Sequence, residues 1–356
     1  MSGGFPSDCW RNGCPLAIKG ATRCAGHGAG TPGRAVPTDD LVALLEDRFA
    51  FSAGREARAI AKRMGIATRH ISRPFIERHE AACDGCSNAD LSTAAVKRAL
   101  DDAGLKVDQL GYIIGHTTTP VQPLPGNIAF VADLLEYAGP HVELRQACTG
   151  FANALMIAFG LIAGGLDAPI AIVGSETGSL FFDPDRAGED RGQCVNLIQM
   201  GDAAAAIIVG PHAKGRGMIS GAWFGATGLG RPPGLQMHAG RTEFEHDYAR
   251  IAESGPALFA AGVAAAASQG IAADSADIII PHQVSGRIRA QIADHLGVDR
   301  ERVFGNADRV GNTGSAAIWL ALAELRAGGL SSSAHVLALG AEATKYMHGG
   351  FLYEHG

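Results

Sequence analysis

Short apolar runs alternate with longer helical stretches along most of the chain, the pattern of an α/β protein. Strands are predicted at Leu16–Thr22, Gly111–His116, Val142–Gln146, Ile170–Gly174, Ala203–Val209 and Met218–Phe224. Helices are predicted from a cap near Thr38, with Asp39 and Asp40 in the first turn, and over Ser87–Ala103, Asn127–Glu136 and Ala249–Gln269. Two further helices, Phe151–Ala163 and Ser315–Leu325, are apolar nearly all round, so they should be buried. Small residues at their starts would let them lie close together. Residues 1–15 read as a loose tail. The glycine-rich Ala25–Gly33 reads as a connection between the first strand and the Thr38 helix. Two polar or irregular stretches, Leu180–Gly201 and Arg231–Phe244, read as long loops over the core.

The pattern occurs twice. Tyr112-Ile113-Ile114-Gly115-His116 is followed by Cys148-Thr149-Gly150-Phe151-Ala152, then by Ile172-Val173-Gly174-Ser175-Glu176. Ile278-Ile279-Ile280-Pro281-His282 is followed by Asn312-Thr313-Gly314-Ser315-Ala316, then by Ala338-Leu339-Gly340-Ala341-Glu342. The spacings agree: 148−116 is 32 against 312−282, which is 30, and 174−148 is 26 against 340−312, which is 28. Three matched blocks in one order imply a duplicated α/β unit with a pseudo-two-fold axis. The expected halves are residues 16–215 and 216–356. They differ chemically: one copy offers a thiol where the other offers an amide.

Composition narrows the function. The chain has 356 residues, 47% of them apolar and 19% charged, enough for a large, tightly packed core. Its net charge of −6 and lack of a long basic run argue against nucleic acid or an anionic membrane as partner. The N-terminal stretch has no apolar core of signal-peptide length, and Gly, Asp or Arg interrupts each candidate membrane span, so a cytoplasmic protein is expected. Seven cysteines, an odd number, argue for reduced thiols rather than a disulfide framework. Cys83-Asp84-Gly85-Cys86 is a lone CxxC. Cys9, Cys14, Cys24, His70 or His79 would have to complete a zinc site, so incidental thiols are the reading adopted and no metal is expected. Gly28-x-Gly30-x-x-Gly33 matches a dinucleotide fingerprint in form, but Pro32 and Pro37 bracket it where a helix should begin, and no cofactor is expected.

Candidate chemistry collects where the repeats meet. Cys148 stands where a strand hands over to a buried helix, and a helix N-terminus stabilises a thiolate; the alternative is a buried, inert cysteine. His282 should stand at a strand's C-terminal end, as a hydrogen-bond donor or proton shuttle or as a structural histidine. Asn312, between Gly311 and Thr313, could offer its amide to a developing oxyanion or simply cap a helix. No paired carboxylates were expected to compete with this site.

In this order Cys148-Thr149-Gly150-Phe151, Pro281-His282-Gln283 and Gly311-Asn312-Thr313 resemble the thiolase superfamily, and within it the β-ketoacyl-acyl-carrier-protein synthase III branch. Gly65-Ile66-Ala67-Thr68-Arg69-His70-Ile71, Val173-Gly174-Ser175-Glu176, Met200-Gly201-Asp202-Ala203 and Asp308-Arg309-Val310-Gly311-Asn312 support the resemblance, which covers about residues 16–356. It implies a thiolase-like five-layer αβαβα fold built from two pseudo-symmetric halves, usually a homodimer. It implies ping-pong chemistry with coenzyme A or acyl-carrier-protein thioesters as substrates. Cys148 would take the acyl group, and His282 and Asn312 would assist decarboxylative condensation with a malonyl thioester.

Substrate contacts would come from Arg287, Ser285, Phe151 and Gly314, and the acyl tunnel would be shaped by Phe130, Phe151, Met156 and Trp319. Three departures bear on substrate. The family's acidic-acidic-Trp clamp for the adenine is replaced by Arg48-Phe49-Ala50-Phe51-Ser52, the asparagine expected before Arg287 is Ser285, and the glycine-rich loop is replaced by Ala341-Glu342-Ala343-Thr344-Lys345. They point toward specialised metabolism. An acyltransferase of the same fold, acting on an alcohol or amine without decarboxylation, and a silent partner subunit of a heteromeric synthase are the alternatives.

Overall fold

A computed structural model describes residues 16–77, 80–211, 217–237 and 244–356. Among these, nine strands form one mixed sheet. They are β1 (Leu16–Gly30), β2 (Tyr112–His116), β3 (His141–Leu144), β4 (Ile170–Glu176), β5 (Ala203–Gly210), β6 (Gly217–Ala226), β7 (Ile278–Pro281), β8 (His335–Glu342) and β9 (Met347–His355). The order is β7-β8-β9-β6-β1-β5-β4-β2-β3. Read outward from the β1–β6 pair it is nearly palindromic: β5, β4, β2 on one side mirror β9, β8, β7 on the other. Where β3 pairs with β2, a single parallel bridge from Val303 to Ile279 stands in its place beside β7. β1 joins the halves by pairing with β6 through Arg23 and with β5 from Arg23 onward.

Both faces of each half are covered, and alternation along the strands shows it. Ile170 and Ile172 of β4, Ala205 and Ile207 of β5, and Val336 and Ala338 of β8 face a central cluster. That cluster is built on α3 (Gly150–Ala163) and α6 (Ala317–Ala327), the two helices expected to be buried. Ala171, Val173, Ala204, Ala206 and Ile208 face the opposite way, onto α1 (Asn88–Ala103) and α2 (Asn127–Leu135). Leu337 and Leu339 face α4 (Tyr248–Ser268) and α5 (Ile288–Leu296). Helices, one half of the sheet, the paired central helices, the other half of the sheet and helices make the five αβαβα layers.

Three expectations change. β1 does not stop at Thr22 but continues through the glycines to Gly30. A Cβ on Gly26 would lie 2.1 Å from the Ala99 carbonyl oxygen, and one on Gly28 would lie 2.3 Å from that of Ala95. The alternating glycines therefore let α1 rest directly on the strand, which is a packing role and not a phosphate-binding one. Leu180–Gly201 contains two helices, Pro184–Glu189 and Arg191–Gln199, each started by an aspartate (Asp183, Asp190) accepting backbone N–H bonds. Ala249–Ser268 is long and apolar enough to cross a membrane by length and composition, contrary to the sequence reading. In the fold it packs against β8 and β9 and buries Leu258, Phe259, Ala265 and Ala266.

Candidate active site

Cys148 lies four residues after β3 and two before α3. Behind it Phe151 is buried, edge-on to Trp319 (centroids 5.8 Å apart) and to Phe351 (5.7 Å). This cluster forms a packed aromatic floor behind Cys148. It also brings β8 close: a Cβ on Gly340 would lie 2.7 Å from the Phe151 ring and 3.2 Å from the Cys148 carbonyl oxygen. Trp319, Phe151 and Met156 belong to the central cluster, whereas Phe130 packs with α1 and α2 in the outer layer.

His282 follows β7, and its backbone N–H donates to the Leu339 carbonyl at 2.7 Å, so β8 also positions the imidazole. The residue is buried, and burial lowers its pKa to about 4, leaving a neutral ring at neutral pH. Its Nδ1 has no protein partner among the described residues. Asn312 is held by its backbone: its N–H donates to the Gln199 carbonyl at 2.8 Å, and its carbonyl accepts from Gly201 at 3.0 Å. Its side-chain Oδ1 accepts from the Gly314 N–H at 3.0 Å. With the acceptor end committed, the amide N–H groups are what Asn312 has left to offer. Gly314 has φ +49°, and a Cβ there would lie 2.6 Å from Glu176 Cγ, so the turn requires glycine. The Ser315 hydroxyl donates to the Gln146 carbonyl at 3.3 Å, tying the loop after Asn312 to the loop before Cys148. These contacts bring the segments that carry the three candidate residues together at one end of the sheet.

Two other substrate candidates have structural work. The Ser285 hydroxyl accepts from the Arg287 backbone N–H at 3.3 Å. Arg287 Nε donates to the Arg63 carbonyl at 2.5 Å and Nη2 to that of Lys62 at 3.2 Å, capping the end of the helix Gly54–Met64. Cys83 and Cys86 are free thiols. Cys24 is buried in β1 and accepts from Arg326, and His70 contacts the Pro32 carbonyl, so neither joins them; Cys9, Cys14 and His79 lie outside the described residues.

The largest departure is electrostatic. Two buried carboxylates flank Cys148, although no paired carboxylates were expected. Glu342 Oε2 accepts from the Thr149 N–H at 2.9 Å and from its hydroxyl at 2.6 Å. Glu176 accepts from the Ser315 hydroxyl at 2.5 Å, from the Thr119 hydroxyl at 2.5 Å and from the Thr118 N–H at 3.1 Å. Burial pushes the Cys148 thiol well above its ordinary value, and Glu342 and then Glu176 push it the same way. These effects oppose the thiolate expected from the helix end alone. A signal was present: Gly174-x-Glu176 and Gly340-x-Glu342 end the matched strands of the two repeats.

Comparison with known proteins agrees with this fold. The family model of 3-oxoacyl-[acyl-carrier-protein] synthase III matches residues 142–228, and the model of its C-terminal part matches residues 266–353. The chain is 30% identical over 326 residues to the beta-ketoacyl-[acyl-carrier-protein] synthase III of Oleidesulfovibrio alaskensis, covering 84% of this chain and 88% of the relative. Among solved structures, 3-oxoacyl-(acyl carrier protein) synthase III from Pseudomonas aeruginosa PAO1 superposes with a TM-score of 0.77 at 27% identity, over 94% of this chain and 98% of that one. The tetronic acid condensing enzyme AbyA1 superposes with a TM-score of 0.76 at 25% identity, over 94% and 99%.

Proposed function

The chain belongs to the 3-oxoacyl-[acyl-carrier-protein] synthase III family of condensing enzymes, and from that premise we propose that it joins two acyl thioesters by a ping-pong Claisen condensation on Cys148. The observation that supports this reading is that the segments bearing Cys148, His282 and Asn312 meet at one end of the sheet, with Cys148 and Asn312 at matched positions of the two halves. In the first step Sγ attacks the carbonyl of an acyl-coenzyme A or acyl-carrier-protein thioester, and the donor thiol leaves. In the second, a malonyl thioester loses carbon dioxide, and its enolate carbon attacks the acyl-cysteine carbonyl, freeing Cys148.

Both steps place negative charge on a thioester oxygen. A neutral His282 and the free amide N–H groups of Asn312 suit that task, because they donate hydrogen bonds without adding a strong base. The altered Arg48–Ser52 segment, Ser285 in place of an asparagine, and the replaced glycine loop favour an acyl primer of specialised metabolism over standard fatty-acid initiation. A homodimer is the assembly this reading takes.

Intact mass tests the first step, with the protein mixed with a panel of acyl-coenzyme A and acyl-carrier-protein thioesters and Cys148→Ala run alongside. Wild type is expected to gain one acyl group and the variant none. Adding malonyl thioester should then release one carbon dioxide per product. An acyl group that passes to an alcohol or amine without carbon dioxide would replace condensation by simple acyl transfer. Absence of any mass gain from every donor would overturn the reading.

A further inference from the structure

Glu176 and Glu342 occupy equivalent places, at the ends of β4 and β8, and each reaches across to the other half. Glu176, from the first half, accepts the Ser315 hydroxyl at 2.5 Å and its backbone N–H at 3.4 Å, where the second half's central helix begins. Glu342, from the second half, accepts the Thr149 hydroxyl at 2.6 Å and N–H at 2.9 Å, where the first half's central helix begins. Both side chains are buried. The exchange is reciprocal, but the surroundings differ. Glu176 takes further hydrogen bonds from the Thr118 N–H and from the hydroxyls of Thr118 and Thr119, whereas the second oxygen of Glu342 takes that of Thr344. Only Glu342 takes the N–H of the residue that follows the nucleophile.

We propose that Glu342 is a positioning residue for Cys148: it caps α3 with a fixed negative charge, so the helix end is already neutralised and the cysteine rests as a thiol whose acylation rate climbs with pH. Four buried titratable groups stand on the elements around Cys148. Glu342 approaches from β8 and Glu176 from β4, and burial raises the pKa of Glu176. His282 comes from the end of β7 and His116 from β2 beneath Gly150, and burial keeps both rings neutral at neutral pH. Burial acts first on the thiol, then Glu342 and then Glu176, and all three raise its pKa. In the loading step the S–H bond breaks and an S–C bond forms to the acyl carbon. The acyl–sulfur bond of the donor breaks, and the proton ends on the departing donor thiol.

This inference rests on Cys148 being the acyl carrier, but the thiol can be read without any acyl donor. The experiment is the rate of iodoacetamide alkylation of Cys148 from pH 6 to 10, followed by intact mass, with Cys148→Ala giving the background. The wild-type midpoint should lie above the roughly 8.5 of a free cysteine. Glu342→Gln keeps a carbonyl acceptor for Thr149 and loses only the charge. It should move the midpoint down by about one pH unit, or roughly tenfold faster alkylation at pH 7. Glu176→Gln should move it less.

A wild-type midpoint below about 8.5 overturns the proposal even if the variants fail to fold. An unchanged midpoint in folded Glu342→Gln, or a larger shift in Glu176→Gln, also overturns it. None of these results touches acyl loading itself, whose failure would show in the thioester panel while the alkylation profile stood.

Discussion

His116 and His282 end equivalent strands, β2 and β7, and the two repeats have used them differently. Both are buried, and burial holds both neutral, with pKa values lowered to about 3 and about 4. Yet His116 is built into the floor: Trp319 Nε1 donates to its Nε2 at 3.2 Å, and Cβ atoms on Gly150 or Gly174 would lie 2.6 Å from its ring. Among the described residues Nδ1 of both rings lacks a hydrogen-bond partner, so the difference lies at Nε2, where His282 has no such clasp. Duplication supplied two imidazoles at the same depth. On the proposed function, what separates scaffold from chemistry is whether a neighbouring side chain occupies the ring's Nε2.

The sharpest way to break this comparison is to truncate each histidine in turn. His282→Ala should lower the condensation rate by about 10²- to 10⁴-fold, the usual contribution of a positioned proton-transfer or hydrogen-bonding side chain, with little change in folding stability. His116→Ala should do the reverse. It leaves a cavity and a buried Trp319 N–H without an acceptor, so it should destabilise by about 2–4 kcal/mol while the folded fraction stays within roughly tenfold of wild-type activity. Rates normalised to folded protein and urea melts separate the two. A folded, stable, inactive His116→Ala would mean that the first half's histidine also acts in catalysis.

The sequence made much of this legible, for a physical reason. Cys148, His282 and Asn312 are fixed by strand and helix boundaries, and those follow from hydrophobic runs that survive duplication. The partners were harder to read, because they depend on contacts across the pseudo-two-fold axis. Glu342 sits 193 residues from Thr149, and no local pattern announces that its carboxylate closes the α3 N-terminus. Arg287 was expected near the substrate because its position is basic, but its guanidinium is engaged by two helix-terminal carbonyls from the first half. The glycines after Cys24 read as a loop because glycine is a turn signal; that signal cannot tell a turn from a strand face pressed against a helix.

Acid stability sharpens the same comparison. An unfolded histidine takes up a proton as pH falls through about 6.5. Folded His116 does not until about pH 3, nor folded His282 until about pH 4. Between those limits the unfolded state binds more protons, so acidification removes stability, by up to about 1.4 kcal/mol per pH unit for each histidine. Urea midpoints measured from pH 7 to 4.5 should fall steadily. His116→Gln should show a shallower fall than wild type, and so should His282→Gln. An equal slope in either variant would mean that its histidine is protonated in the folded state.

The smallest expected effect isolates the clasp itself. Trp319 lies in the core, stacked on Phe351 with centroids 5.3 Å apart and donating its only N–H to His116. Trp319→Phe keeps an aromatic ring in the stack and removes the donor, leaving a buried imidazole nitrogen unpaired. The loss should be about 2 kcal/mol, from the orphaned acceptor together with the smaller ring. His116→Ala and Trp319→Phe should also be non-additive, since each removes one side of the same hydrogen bond, giving a coupling on the order of 0.5–3 kcal/mol in urea melts of the double variant. Additive losses would mean that the tryptophan and the histidine stabilise the floor independently, and that something other than this hydrogen bond has kept His116 out of the chemistry.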